Sequence, residues 1–204
     1  MTASRTVFQI KVSLKGSRPP IWRRLLVRDT VSLRNLHELL QFAMGWTDSH
    51  LHQFVKGETC YGSPHPEMVD EKRAKLNSIL RKPKDRILYE YDFGDGWLHD
   101  VVLERVLDAD PKSKYPWLVA GKGACPPEDC GGLWGYYHLL EVLADPGHPE
   151  YDEMNDWLGK DFDATAFDVQ EMNRILHAAS DSSPGAASKA MKPEGRERDG
   201  RRII

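Results

Sequence analysis

Along residues 7–14 apolar and polar positions alternate, with Phe8, Ile10, Val12 and Leu14 on one side and Val7, Gln9 and Lys11 on the other. A period of two predicts a half-buried strand, closed by the turn "SRPP" and followed by a second strand over residues 21–28. The period then changes. Leu33, Leu36, Leu40 and Ala43 recur at helical spacing, with Ser32 placed as N-cap and Gly45 just past the end. "HLHQFVKG" reads as a third strand and "LNSIL" as a short helical turn. "RILYEYDF" and "WLHDVVLERVL" read as the arms of a hairpin, and "PWLVAGKG" as one more strand. Beyond the loop "ACPPEDCGG" the pattern is helical in "LWGYYHLLEVLAD", "PEYDEMNDWLG" and "DVQEMNRILHAAS", the last with Asp168 as N-cap.

Strands first and helices last predict an α+β fold: β-β-α-β, a hairpin, then C-terminal helices packed on one face of a mainly antiparallel sheet. After residue 179 large apolar residues become scarce, so the expectation is one domain over residues 1–179 and a disordered polar tail over 180–204. A length of 204 residues suits that division.

Register decides what the hairpin tip "YDFGDGWLHD" presents. A three-residue loop, Gly94-Asp95-Gly96, would set Phe93 against Trp97, Tyr91 against His99 and Ile87 against Leu103, gathering the large apolar side chains on one face. It also sets Glu90 against Asp100, a like-charge pair. A two-residue loop would set Asp92 against His99 and mix apolar with polar on both faces. The first register is the expectation.

Composition narrows the class. With 40% hydrophobic and 29% charged residues the chain is that of an ordinary globular protein, and no apolar run reaches the ~20 residues that span a bilayer. Three cysteines, few and odd in number, fit a reducing cytoplasm. The net charge of −3 conceals an asymmetry: residues 72–86 hold seven Lys/Arg against one acid, and residues 92–172 hold eighteen acids against five Lys/Arg. Residues 1–36 hold eight Lys/Arg against one acid. The plain expectation is that opposite charges pair across the fold; segregated, they would attract phosphates at one place and metals or basic partners at another. Alternation sends Arg23 and Arg24 to opposite faces, one as a surface charge and one paired with an acid.

Three clusters carry chemistry that folding alone does not require. His50 and His52 would share a face of a strand, and imidazoles are frequent metal ligands. Asp92, Asp95 and His99 crowd the hairpin. Glu128 and Asp129 stand between Pro126-Pro127 and Gly131-Gly132, either presented rigidly as ligands or base, or capping the following helix. Trp22, Trp46, Tyr91, Phe93, Gly94, Gly96, Trp97, Pro126, Pro127, Gly131 and Gly132 form the structural part of these motifs. No phosphate-binding loop, dinucleotide fingerprint or hydrolase elbow occurs.

The blocks "PPIWRRLLV", "FAMGWTDSHLHQF", "YEYDFGDGWLHDVVLE" and "ACPPEDCGGLWGYYHLLEVLADPGHPEYDEMNDWLGKDFDATAFD" resemble, in order and intact over about residues 5–178, the Ri-plasmid ORF-three-like family. That family includes proteins described as insertion-element passengers of the TnpR type. The resemblance implies a compact α+β domain, cytoplasmic, found on plasmids, mobile elements and bacterial chromosomes. It implies no known reaction. The TnpR label points to a resolvase, but the chain has no serine-recombinase pattern and no helix-turn-helix.

Two readings follow. The first is an accessory or binding protein with a polar cleft shared by His50, His52, Asp92, Asp95, His99, Glu128 and Asp129. It would need no cofactor, would have a protein or nucleic-acid partner, would avoid membranes and would not read DNA sequence directly. The second is a hydrolase-like enzyme using the same residues by acid–base or metal-assisted chemistry, with a divalent metal such as zinc at His50, His52 and His99.

Overall fold

Residues 6–14 and 22–28 do form neighbouring antiparallel strands, β1 (Thr6–Leu14) and β2 (Trp22–Arg28). The computed structural model describes residues 5–159 and 162–181. Between these strands and the later ones lies α1 (Leu33–Met44). Its ends are chemically specified: Ser32 Oγ accepts the N–H of Asn35, and Gly45 takes the left-handed conformation at φ 89°. Then come β3 (His52–Lys56), β4 (Thr59–Gly62), β5 (Val69–Asp70), the single turn α2 (Leu76–Ile79), β6 (Arg86–Tyr91), β7 (Trp97–Asp108) and β8 (Trp117–Lys122). Helices α3 (Gly132–Ala144), α4 (Tyr151–Leu158) and α5 (Val169–Asp181) follow, with Asp168 Oδ1 capping the N–H groups of Gln170 and Glu171. The expected tail beyond Asp181 lies outside the described residues.

The strands form one eight-stranded sheet in the order β5-β4-β3-β6-β7-β1-β2-β8, antiparallel except at β4–β5. The fold is therefore α+β and sheet-dominated. One face carries Phe8, Ile10, Val12, Leu25, Val27, Tyr89, Tyr91, Trp97, Val101 and Leu103, buried with Leu33, Leu36 and Leu40 of α1 in a single core. Burial of apolar area at roughly 25 cal/mol per Å² makes this face the main source of stability. The other face is polar: Arg24 grips Glu104 with Nε and Nη2 at 2.6 and 2.8 Å, and Gln9 adds a bond at 2.8 Å.

Arg24 thus pairs with an acid as expected, but Arg23 is not a surface charge. It is 2% exposed, donates to the carbonyls of Ala43, Trp22 and Lys122, and lies 3.8 Å from the Phe167 ring centroid. An arginine can satisfy its fork on carbonyls and an aromatic face without a carboxylate. It ties the end of α1 to the sheet.

The hairpin keeps the expected face but not the expected register. Tyr91 faces Trp97, Tyr89 faces His99 and Ile87 faces Val101, leaving a five-residue loop over 92–96. A slip of two residues preserves which side chains face the core, so periodicity could not detect it. It removes the like-charge pair, because Glu90 now faces Leu98. Phe93 is released to solvent, and Asp92, at φ 56°, closes the loop by accepting the N–H groups of Gly94 and Asp95 on Oδ1.

Candidate functional site

Three connections meet at the end of β6: residues 46–50 after α1, the hairpin loop 92–96, and residues 125–131 before α3. Trp46 donates its indole N–H to the carbonyl of Pro126 at 3.0 Å and stacks on Tyr91 at 4.9 Å. Glu128 accepts the N–H and hydroxyl of Thr47 at 3.2 and 2.5 Å, and accepts the Tyr91 hydroxyl on its other oxygen. The Tyr91 oxygen in turn accepts the N–H of Ser49 at 3.1 Å. Burial, then the Glu128 carboxylate, raise the Tyr91 pKa well above its ordinary range, so the phenol stays a donor. Gly132 completes the seam: a Cβ there would stand 2.5 Å from the Asp95 carbonyl oxygen. Glu128 is thus committed to the loops rather than to a helix cap, while the N-terminus of α3, with Gly131 at its N-cap position, faces the Asp95 carboxylate.

This bracing brings His50, Asp92 and Asp129 together. His50 Nε2 lies 3.1 Å from Asp129 Oδ1 and 3.6 Å from Asp92 Oδ2, and the three ligand atoms all lie within 4.8 Å of one another. Ligands about 2.0–2.2 Å from a zinc-sized ion stand roughly 3.0–3.5 Å apart, and the two distances from His50 Nε2 come close to that spacing. His50 Nε2 is buried yet makes no hydrogen bond in this arrangement, despite the carboxylate oxygens beside it. Asp92 and Asp129 both hold left-handed backbone, at φ 56° and 62°. Aspartate tolerates that region, but the cost is accepted at both carboxylates of one cluster.

Asp95 borders the same cluster. Its Oδ2 is buried without a partner. Burial raises its pKa, with Asp92 and Asp129 adding to the rise and the backbone of Gly132 opposing it. Leu51 and Phe93, the sequence neighbours of His50 and Asp92, are exposed.

His52 lies elsewhere. Strand β3 begins at His52, so His50 precedes the strand and the alternation that would put both imidazoles on one face does not apply. The His52 ring stacks on His37 of α1 at 3.4 Å and 4°, in the core. Its Nε2 meets Glu71 at 2.7 Å, while His37 meets Asp48 at 2.8 Å and the Tyr89 hydroxyl at 2.9 Å. Arg34 approaches both acids, at 3.4 and 3.8 Å. His37, Asp48 and His52 have ligand atoms close together, yet rings this parallel aim their in-plane lone pairs side by side. An ion about 2.1 Å from both nitrogens would stand far out of each ring plane. Burial first, and the His52 ring next, lower the pKa of His37. The pair braces the fold beneath the site.

His99 is also in the core. It is fully buried and edge-on to Trp46 at 5.3 Å, and burial lowers its pKa to about 4, opposed in part by the backbone of Trp97 and Tyr89 beside the ring. The structure therefore brings together His50, Asp92, Asp95, Asp129 and Glu128, and separates His52 and His99 from them. Sequence reasoning missed His37 and Gln41, whose side chain donates to the Tyr89 hydroxyl at 2.9 Å. Both fall on the apolar stripe of α1, one turn after Leu33 and His37 respectively, which was the available signal.

Comparison with known proteins places these motifs in a wider group. An uncharacterized protein, y4hQ, of Sinorhizobium fredii is 39% identical over 177 residues, covering 84% of this chain and 91% of its own. The crystal structure of a protein of unknown function from Methanosarcina mazei Go1, MM3350, superimposes with a TM-score of 0.76 at 41% identity, covering 81% of this chain and 97% of that one. The family model of the plasmid pRiA4b ORF-3-like proteins matches residues 6–171, which hold every loop of the cluster. The chain belongs to the plasmid pRiA4b ORF-3-like family.

Proposed function

We propose that the chain is a cytoplasmic binding protein, accessory to plasmids and other mobile DNA, whose polar cleft holds one divalent cation on His50, Asp92 and Asp129. The observation that carries this reading is the approach of His50 Nε2 to two carboxylates without a hydrogen bond to either. One imidazole and two carboxylates favour zinc or manganese over a soft-ligand metal. Glu128, Tyr91 and Thr47 act as positioning residues, holding the His50 and Asp129 segments in register. The accessory role rests on the plasmid reading frame for which the family is described.

A second reading, metal-assisted hydrolysis, is favoured by one observation. Asp95 stands beside the cluster with one carboxylate oxygen buried and unpartnered, where a general acid or base would face a substrate held by the cation. A hydrolase screen of the metal-loaded protein separates the readings.

The test of the cation site is elemental analysis after dialysis against zinc and manganese, with His50→Ala and Asp129→Asn alongside. Near-stoichiometric metal in the parent and loss in both variants, at unchanged circular dichroism, is expected. Absence of metal from the parent would refute the site.

A further inference from the structure

The cations of the chain fare differently in its two basic segments. Of those in residues 1–36, half are engaged by acids or burial: Arg24 by Glu104, Arg34 by Glu38, Asp48 and Glu71, Lys15 by Asp100, and Arg23 by burial. Those of residues 72–86 are not. Lys72, Arg73, Lys75, Arg81, Lys82, Lys84 and Arg86 are all exposed, and among the described residues only Arg73 has an acid within 4.0 Å, Asp70 at 3.5 Å.

Local folding strings these seven along one continuous stretch of surface chain from Lys72 to Arg86. Helix α2 is a single turn, closed by the Leu80 N–H on the Leu76 carbonyl, so Lys75 and Arg81 flank one turn of backbone. The loop after it curls around Asp85, whose carboxylate accepts the N–H groups of Arg81 and Lys82. Asp85 is the one acid of the segment, and those backbone N–H groups hold its pKa down. Lys56 joins the patch by donating to the carbonyl of Arg86 at 2.7 Å.

The Lys56–Arg86 part of this surface and the His50–Asp92–Asp129 cluster stand at opposite ends of β6, which starts at Arg86 and ends at Tyr91, about 17 Å apart at the rise of an antiparallel strand. Lys72 and Arg73 lie nearer the cluster, because the Glu71 before them meets His52, the partner of Tyr91 across β3 and β6. Screening over about 8 Å at physiological ionic strength leaves each pole to act locally, and the net charge of −3 does not cancel the patch.

We infer that this basic pole binds the sugar–phosphate backbone of double-stranded nucleic acid without reading its sequence. Charge complementarity supplies the attraction. Residues 72–86 contain no aromatic side chain to stack on unpaired bases, and α2, at four residues, is too short to enter a major groove. A membrane surface fits less well. The apolar residues of the segment, Leu76, Ile79 and Leu80, are buried, so nothing is offered to the acyl boundary. The inference is independent of the cation site.

The test is fluorescence anisotropy with a mixed-sequence duplex across a salt series. Engagement of about five phosphates gives a slope near −4.5 in log K against log salt, a loss of roughly 500-fold from 50 to 200 mM. Changing Lys72, Lys75 and Lys82 together to Gln should lower the slope by about 2–3 and weaken binding at least roughly tenfold, equally on unrelated sequences. Changing Lys112 and Lys122 to Gln, away from the patch, should leave both unchanged. Binding without salt dependence, equal loss in the control variant, or binding to phosphatidylserine vesicles in place of duplex would overturn the inference.

Discussion

The phenol of Tyr91 donates to the carboxylate of Glu128, joining the last residue of β6 to the proline-braced loop before α3. Because the same phenol accepts the N–H of Ser49, one side chain holds both segments that supply His50 and Asp129. Tyr91→Phe keeps the ring stacked on Trp46 and removes only the hydroxyl. We expect a stability loss of about 1–2 kcal/mol, since Ser49 loses its acceptor and Glu128 one donor, and cation affinity roughly tenfold weaker. Urea denaturation and metal titration of the same preparation measure the two effects. Weakened stability with unchanged affinity would show that the tether is only structural.

His50 and His52 should respond to substitution in opposite ways. His50→Ala removes the partly exposed imidazole of the proposed cation site and should change stability by less than about 1 kcal/mol while abolishing cation binding. His52→Ala strips the buried Glu71 of its closest partner and should cost about 3 kcal/mol, yet the folded fraction should still bind the cation. Chemical denaturation with and without metal distinguishes them. Equal loss of binding in both would return His52 to the site.

Gly132→Ala tests the seam between the hairpin loop and α3. The added methyl meets the Asp95 carbonyl oxygen, at a residue already at φ 67°. The obstacle is the Asp95 backbone rather than the flexible end of a side chain, so the loops must part. A loss of about 2–3 kcal/mol is expected, together with weaker metal binding, read by thermal denaturation and dialysis.

Much of the frame was legible because local chemistry specified it. Ser32 and Gly45 bounded α1, Asp168 capped α5, and alternation around Ile10 and Val12 marked β1 and its buried face. The hairpin register was not legible, because a two-residue slip leaves every side chain on its original face, and what decided it was the turn that Asp92 builds with its own carboxylate. Strands β4 and β5 escaped notice, being short and lying at the sheet edge with little buried apolar surface to write a pattern. Within the site, the convergence of His50 with Asp92 and Asp129 depends on three connections meeting, which spacing along the chain does not encode. The stacked His37–His52 pair left half a signal, a histidine on the apolar stripe of a helix; Glu71 left none.

His99 makes stability depend on acid. Its folded-state pKa, about 4, lies below the unfolded value near 6.5, so the fold holds the imidazole neutral. That contribution is complete above about pH 6.5 and is lost as pH falls toward 4, because the unfolded chain takes up the proton first. His99→Phe should therefore reduce the fall in the urea midpoint between pH 6.5 and 4.5. An unchanged slope would mean that other groups dominate acid unfolding.

The most direct measurement is anomalous diffraction from crystals soaked in manganese or zinc. One peak is expected about 2.0–2.3 Å from His50 Nε2 and from carboxylate oxygens of Asp92 and Asp129, absent in His50→Ala crystals. No peak at that position, or a peak between His37 and His52 instead, would contradict the cation site.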